Sequence, residues 1–258
     1  MISSRVTVAI AAAAVIGYWC DDALAFRPFD GTDAAVADTG NIEIELGPVE
    51  YRREAAARTL FAPSTRINYG FAPDWEAVVE GRVAHGLSGD LRGTGLVEDG
   101  ASLKRVLREG VLQDKPGPSI ATEFGVLLPG VRADRGAGAT LAGIVSQQWE
   151  GLTFHLNAAA SLTREQHADL FLSTILEGPH DWPVRPIAEV VYDRDFGRAE
   201  VKSALIGAIW RVRDNLAFDV GFRGGRVNDD TVAELRAGLT FSFAVEPAPS
   251  GKTEGGGR

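Results

Sequence analysis

Along most of the chain apolar and polar residues alternate one for one. In residues 215–243, NLAFDVGFRGGRVNDDTVAELRAGLTFSF, Leu216, Phe218, Val220 and Phe222 alternate with Ala217, Asp219, Gly221 and Arg223. After a polar turn, Leu235, Ala237, Leu239, Phe241 and Phe243 alternate with Glu234, Arg236, Gly238, Thr240 and Ser242. A period of two sends successive side chains to opposite faces, so these are two β-strands, each with one apolar and one polar face. The pattern recurs upstream. Ile42, Ile44 and Leu46 oppose Glu43 and Glu45, and Gly47-Pro48 shifts the phase so that Val49 and Tyr51 continue the apolar face, as a bulge would. Thr65, Ile67, Tyr69 and Phe71 oppose Arg66 and Asn68, and Trp75, Ala77, Val79 and Val83 oppose Glu76, Glu80 and Arg82. Ile120, Thr122, Phe124 and Val126 oppose Glu123; Leu141, Val145 and Trp149 share a face; Leu152, Phe154 and Leu156 oppose Thr153, His155 and Asn157. Val184, Ala188, Val190 and Tyr192 oppose Arg185, Glu189 and Asp193, and Val201, Leu205 and Ile209 oppose Glu200 and Lys202.

Two segments fit more than one pattern. Residues 102–113 read equally as a strand or as a short helix capped by Ser102, and residues 168–177 carry apolar residues on both faces. Counted as strands, they bring the total to about twelve, an even number of the kind single-chain outer-membrane barrels have. Most of these strands run about 10–14 residues, enough to cross a bilayer at a tilt. Links after the even-numbered strands are mostly short. The opposite end carries the longer Gly/Asp-rich links, above all SGDLRGTGLVEDGA at 88–101. Nearly every link reads as a hairpin, which predicts an all-β, up-and-down antiparallel transmembrane barrel rather than a Greek-key sandwich.

The first residues carry a different signal. Arg5, the apolar run VTVAIAAAAVIGYW at 6–19 and ALA at 23–25 match a cleaved export signal, and the run is short for a membrane-spanning helix. The expected organisation is a signal peptide at 1–25, an N-terminal periplasmic segment at 26–40, the barrel at 41–244 and a disordered Pro/Gly-rich tail at 245–258. A signal peptide followed by a barrel predicts the bacterial outer membrane as the destination, with outer-membrane lipid and, during biogenesis, the barrel-assembly machinery as expected partners. Cys20, the single cysteine, leaves with the signal peptide, so a disulfide framework is excluded. The net charge of −9 argues against a nucleic-acid partner, and the pattern leaves the oligomeric state open.

In a barrel the polar face becomes the lumen. Its candidate lining is Glu43, Glu45, Arg66, Glu80, Arg82, Glu123, His155, Glu189, Lys202, Asp219, Arg223, Glu234 and Arg236, together with Arg52, Glu76, Asp193 and Glu200. Acids outnumber bases, which gives a weak cation preference if the lumen conducts. Alternatively the charges pair across strands and fill the interior, since about twelve strands lie between the filled eight-stranded barrel and the open sixteen-stranded one. The candidate lipid-facing or girdle residues are Tyr69, Phe71, Trp75, Trp149, Tyr192, Phe218, Phe222, Phe241 and Phe243. No catalytic residue is expected. His155 and Asn157 sit on one strand, but no serine lies two residues from His155 to act as a nucleophile, so a lipase-like enzyme is the weaker alternative. His85, His155, His167 and His180 show no metal-ligand spacing, and no phosphate-binding glycine motif is present, so neither metal nor cofactor is expected. A soluble periplasmic ligand-binding barrel is a further alternative, but it would need bulky apolar residues where most strands carry charge.

Certain stretches add a resemblance. The LAFDVGF strand, the NDD loop and the AGLTFSF ending resemble the last hairpin of the "MetA-pathway of phenol degradation" family of outer-membrane barrels. ATEFGVLLPG (121–130) and INYGFAPDWEAVVEG (67–81) resemble an inner strand and an early hairpin of the same family. The resemblance implies a passive channel or transport-related protein for small solutes, aromatic ones included. It carries over no catalytic residue.

Overall fold

The computed structural model describes residues 27–88, 93–132 and 135–245. The expected signal peptide and C-terminal tail lie outside them, apart from Val245. Among the described residues twelve strands close into one antiparallel barrel. They are β1 (Asn41–Glu54), β2 (Ala57–Ala72), β3 (Trp75–Ser88), β4 (Gly93–Arg108), β5 (Ser119–Leu127), β6 (Gly138–Trp149), β7 (Leu152–Leu162), β8 (Ala168–Glu177), β9 (Val184–Asp195), β10 (Ala199–Arg213), β11 (Leu216–Val227) and β12 (Asp230–Ala244). Each strand pairs with its sequence neighbours, and β1 pairs with β12 from Asn41–Ala244 to Glu54–Val232. Closure leaves no unpaired strand edge. The end where β1 begins and β12 finishes is called proximal here, and the opposite end distal.

The alternation is realised as a wall with two unlike faces. Outward residues include Val79, Leu103, Phe124, Leu141, Leu156, Val190, Ile206, Val220 and Leu235, all exposed. Inward residues include buried Glu45, Asn68, Lys104, Ser146, His155, Glu189, Asp219 and Glu234. The Gly47-Pro48 phase shift is a register break between Leu46 and Val49 in the β1–β12 pairing.

Along the wall two expectations are corrected and one open segment is settled. The long link at 88–101 is mostly strand, because β4 begins at Gly93. A break opposite Glu80–Arg82, with Glu98 in the left-handed region at φ 55°, interrupts the alternation there and hides the strand. Residues 102–113 resolve into the end of β4 and a 3-10 turn at Val111–Gln113, so Leu103 and Leu107 point outward while Val106 is buried. On β10 the phase is reversed. Leu205 and Ile209 are the buried inward pair, while Lys202 pairs with Tyr192 and Glu200 with Arg194 on the outward face. Lys202 and Glu200 therefore line the outside of the distal rim, not the lumen. Both faces of β10 are apolar, since Ala204, Ile206, Ala208 and Trp210 occupy the outward one, so charges near the rim misled the assignment.

The apolar inward patch has an occupant. Residues 27–40, expected to lie outside the barrel, run through its interior. Phe29 packs on Ile187, Leu205, Ile209 and Ala217, and Ala34 packs on Ala121 and Ile144 beside Leu112.

Candidate functional site

The segment over 27–40 is fastened to the wall by residues that alternation alone sends inward. At the proximal end the Gly40 N–H donates to the Gly70 carbonyl (2.7 Å), and the Ala37 N–H to Glu76 Oε2 (2.6 Å). Deeper in, the Ala34 N–H donates to Ser146 Oγ (2.9 Å), and Lys104 pairs with Asp33 (3.2 Å). Asn157 holds the Thr32 peptide from both sides: its Oδ1 accepts the Thr32 N–H (3.0 Å) and its Nδ2 donates to the Thr32 carbonyl (2.9 Å). Glu189 accepts the N–H groups of Asp30 (2.9 Å) and Gly31 (2.8 Å) and the Ser173 hydroxyl (2.7 Å). Two of these partners are backbone N–H groups, one on each carboxylate oxygen, so both oxygens serve as acceptors. Asp30 in turn meets Arg223 and Arg236, and Arg236 also donates to the Pro28 carbonyl (2.6 Å). Arg27 ends the described segment on Glu50 (2.8 Å) and Ser64 (3.0 Å). A buried backbone needs such partners, and here the barrel wall supplies them. Two glycines make room: a methyl group on Gly31 would sit 2.5 Å from Ser173 Oγ, and one on Gly238 2.4 Å from Arg27 Nε.

The segment divides the interior into two cavities. The distal one, about 510 Å³, is lined by six carboxylates and six arginines, so its charge is balanced. Its members pair closely: Arg82 with Glu50 (3.1 Å) and with Glu98, and Arg27 with Glu50 (2.8 Å), while Arg52 reaches Glu234 behind the lining (3.1 Å). The proximal cavity, about 860 Å³, is lined by nine carboxylates against the cations Arg66 and Lys104, with His180 at its edge. Thr32, Glu45 and Arg66 line both cavities and mark the place where they meet. Arg66 there faces Glu80 (2.8 Å), Glu123 (3.2 Å) and Glu45 (3.9 Å), contributed by β3, β5 and β1.

Of the residues expected in the lumen, Glu43, Glu45, Arg66, Glu80, Arg82, Arg223 and Arg236 line these cavities, while Glu123, His155, Glu189, Asp219 and Glu234 are inward members of the network behind them. Tyr69, Phe71, Trp75, Trp149, Tyr192, Phe218, Phe222, Phe241 and Phe243 sit on the outward face. Several gather at the proximal end, where ring centroids of Phe71 and Trp75 lie 6.1 Å apart, those of Trp210 and Phe218 6.1 Å, and those of Phe241 and Phe243 6.3 Å.

Two groupings were missed in the sequence. Ser146 lies directly across from His155 on β6, with Oγ 2.7 Å from Nδ1, and His155 Nε2 is 3.0 Å from Glu177 Oε1. The order serine, imidazole, carboxylate resembles a hydrolytic relay. Ser146 is fully buried, however, and its oxygen receives the Ala34 N–H, so the relay seats the N-terminal segment and presents no nucleophile to a substrate. At the distal rim Glu165, His167 and Asp195 bring their ligand atoms within 4.8 Å of one another. Glu165 is engaged by Arg198 (2.7 Å), and His167 Nδ1 lies 3.2 Å from Asp195 Oδ1, so each ligand atom already has a protein neighbour at the rim. In the proximal β8–β9 link, Arg185 donates to His180 Nδ1 (2.7 Å). Burial, with Arg185 beside it, holds the His180 imidazole below its ordinary value.

No established family profile matches the chain, and no curated protein matches it in sequence. Solved barrels do match in shape. The COG4313 outer membrane channel from Pseudomonas putida F1 aligns with a TM-score of 0.63 at 11% identity, over 83% of this chain and 100% of that one. The NanC porin aligns at 0.56 with 8% identity, over 78% and 98%. The KdgM porin aligns at 0.53 with 13% identity, over 78% and 99%. At these identities the likeness is one of fold: the chain has the closed twelve-stranded architecture of outer-membrane channels.

Proposed function

We infer that the chain is an outer-membrane barrel acting as a narrow passive channel for small solutes, with its own N-terminal segment lodged in the lumen. The observation that carries this is the pairing of an apolar outward wall with a polar interior holding two cavities. Exposed Val79, Leu103, Phe124, Leu141, Val190, Ile206 and Val220 would be a severe solubility liability in water, whereas in a bilayer they meet lipid. The same wall argues against a soluble periplasmic barrel. The proximal end, where β1 begins and β12 finishes, is the periplasmic one on this reading, and the distal end faces outward; links at the two ends are of similar length, 109–118 being the longest proximal one and 128–137 the longest distal one. The similar folds of the COG4313 channel and of the NanC and KdgM porins support a channel rather than an enzyme. The sequence resemblance to the "MetA-pathway of phenol degradation" barrels adds small aromatic compounds to the solutes to be tried.

Fractionation and bilayer recording test this together. The full chain should sediment with outer membranes, migrate differently on gels with and without boiling, and give current in planar bilayers. A protein that stays soluble without detergent would overturn the proposal.

A further inference from the structure

We propose that the lumen selects for small cations, inorganic ions and protonated amines, over anions of the same size, and that the selection is made on the proximal side of the N-terminal segment. This rests on the channel reading above and adds the charge class of the solute.

Two independent observations carry it. The first is the contrast between the cavities. The distal one balances six carboxylates with six arginines, so it gives an entering ion of either sign little net field. The proximal one places Asp33, Glu43, Asp74, Glu76, Asp214 and further carboxylates around about 860 Å³ with two cationic side chains among them. Walls of low dielectric around a cavity of one charge concentrate the counter-ion inside it. The second is the junction. Arg66 is the cation at the meeting point of the cavities, and it is already shared by Glu45, Glu80 and Glu123. A guanidinium surrounded by three carboxylates leaves negative charge in excess, so an anion meets repulsion where the two cavities meet. A cation meets a ring of carboxylates of the kind that lines cation channels. Because the excess sits on one side, the field along the lumen is lopsided, and current should differ with the sign of the voltage.

The test uses the full chain in planar bilayers under a tenfold KCl gradient. Ideal selectivity for K⁺ gives a reversal potential of about 59 mV for a tenfold ratio, in the direction of K⁺ flow. The expected result is a cation-to-anion permeability ratio of at least about threefold near 0.1 M salt. It should shrink toward unity near 1 M, where screening cuts the Debye length from about 10 Å to about 3 Å. Asp74→Asn and Asp214→Asn, in proximal turns, should each lower the ratio while leaving the conductance in place, and the double variant should lower it further. Glu150→Gln, at the same end but outside the cavity lining, should leave the ratio unchanged. Clear current with zero or anion-directed reversal, or equal shifts from Glu150→Gln and Asp214→Asn, would overturn the inference and leave the channel reading standing. Absence of current under every condition would instead remove the channel reading, and this inference with it.

Discussion

Replacing one oxygen of Glu189 by an amide tests how the N-terminal segment is held. Glu189 Oε1 accepts from Gly31 and Ser173, and Oε2 accepts from Asp30. In Glu189→Gln the amide oxygen can keep the Gly31 and Ser173 donors, but the NH2 group then faces the Asp30 N–H, donor against donor. The lost hydrogen bond to a charged acceptor is worth about 1.5–3 kcal/mol, and a buried donor left without a partner costs about 1–3 kcal/mol. At 1.4 kcal/mol per factor of ten, the equilibrium for local release of the segment should rise by about 10²–10⁴. Ala34, fully buried against Ala121 and Ile144, is the position at which to read this. With Cys20, the single native cysteine, changed to serine, Ala34→Cys supplies one reporter thiol in the lumen. Its reaction with a water-soluble maleimide in detergent-purified barrel should accelerate by the stated factor when Glu189→Gln is added, because labelling of a closed site follows the population of its open form. Equal labelling rates with and without Glu189→Gln would refute the reasoning, since the wall contacts would then not govern the segment's seat.

Other outcomes follow from the same contacts. Asp30→Ala takes the shared carboxylate from Arg223 and Arg236, both nearly buried, and should destabilise the barrel by about 3–5 kcal/mol, seen as a lower temperature for loss of the compact gel band. Val220→Arg, on the outward face of β11, should cost about 2–4 kcal/mol in equilibrium unfolding from lipid vesicles if that face meets the bilayer, and much less if it meets water. His180 has its proton affinity lowered in the folded state, so the unfolded chain binds the proton more readily. Its contribution is present above the ordinary histidine value near 6.5 and is lost as pH falls below it. Protease sensitivity of residues 178–183 should therefore rise in mild acid, and His180→Asn should flatten that dependence.

The barrel was legible because membrane and lumen impose a strict two-residue period, and Phe218 against Asp219 or Leu156 against His155 leaves no doubt about phase. Legibility failed where the interior is not polar. Leu205 and Ile209 point inward because Phe29 needs an apolar seat, and nothing near them in sequence announces a residue some 180 positions away. It failed again at bulges, where Glu98 breaks the alternation that would have marked the start of β4. The lumen occupant was the largest omission. RPFDGTDAAVADTG, residues 27–40, has the small and polar composition of a linker, and its fit depends on Asn157, Glu189 and Ser146 meeting it from β7, β9 and β6. The Ser146–His155–Glu177 relay was hidden for the same reason, since its members meet only through strand pairing. An inward Ser, Asn or Glu that is fully buried in a barrel of this size is the signal that something fills the lumen, but burial is visible only in the folded chain.

Single-channel recording of the full chain beside Glu189→Gln tests the central claim most directly: a membrane barrel whose lumen conducts past a seated N-terminal segment. The claim predicts discrete, small current steps for the unaltered chain and larger or more frequent openings for Glu189→Gln. Inserted, heat-modifiable protein that passes no current in either form would contradict it.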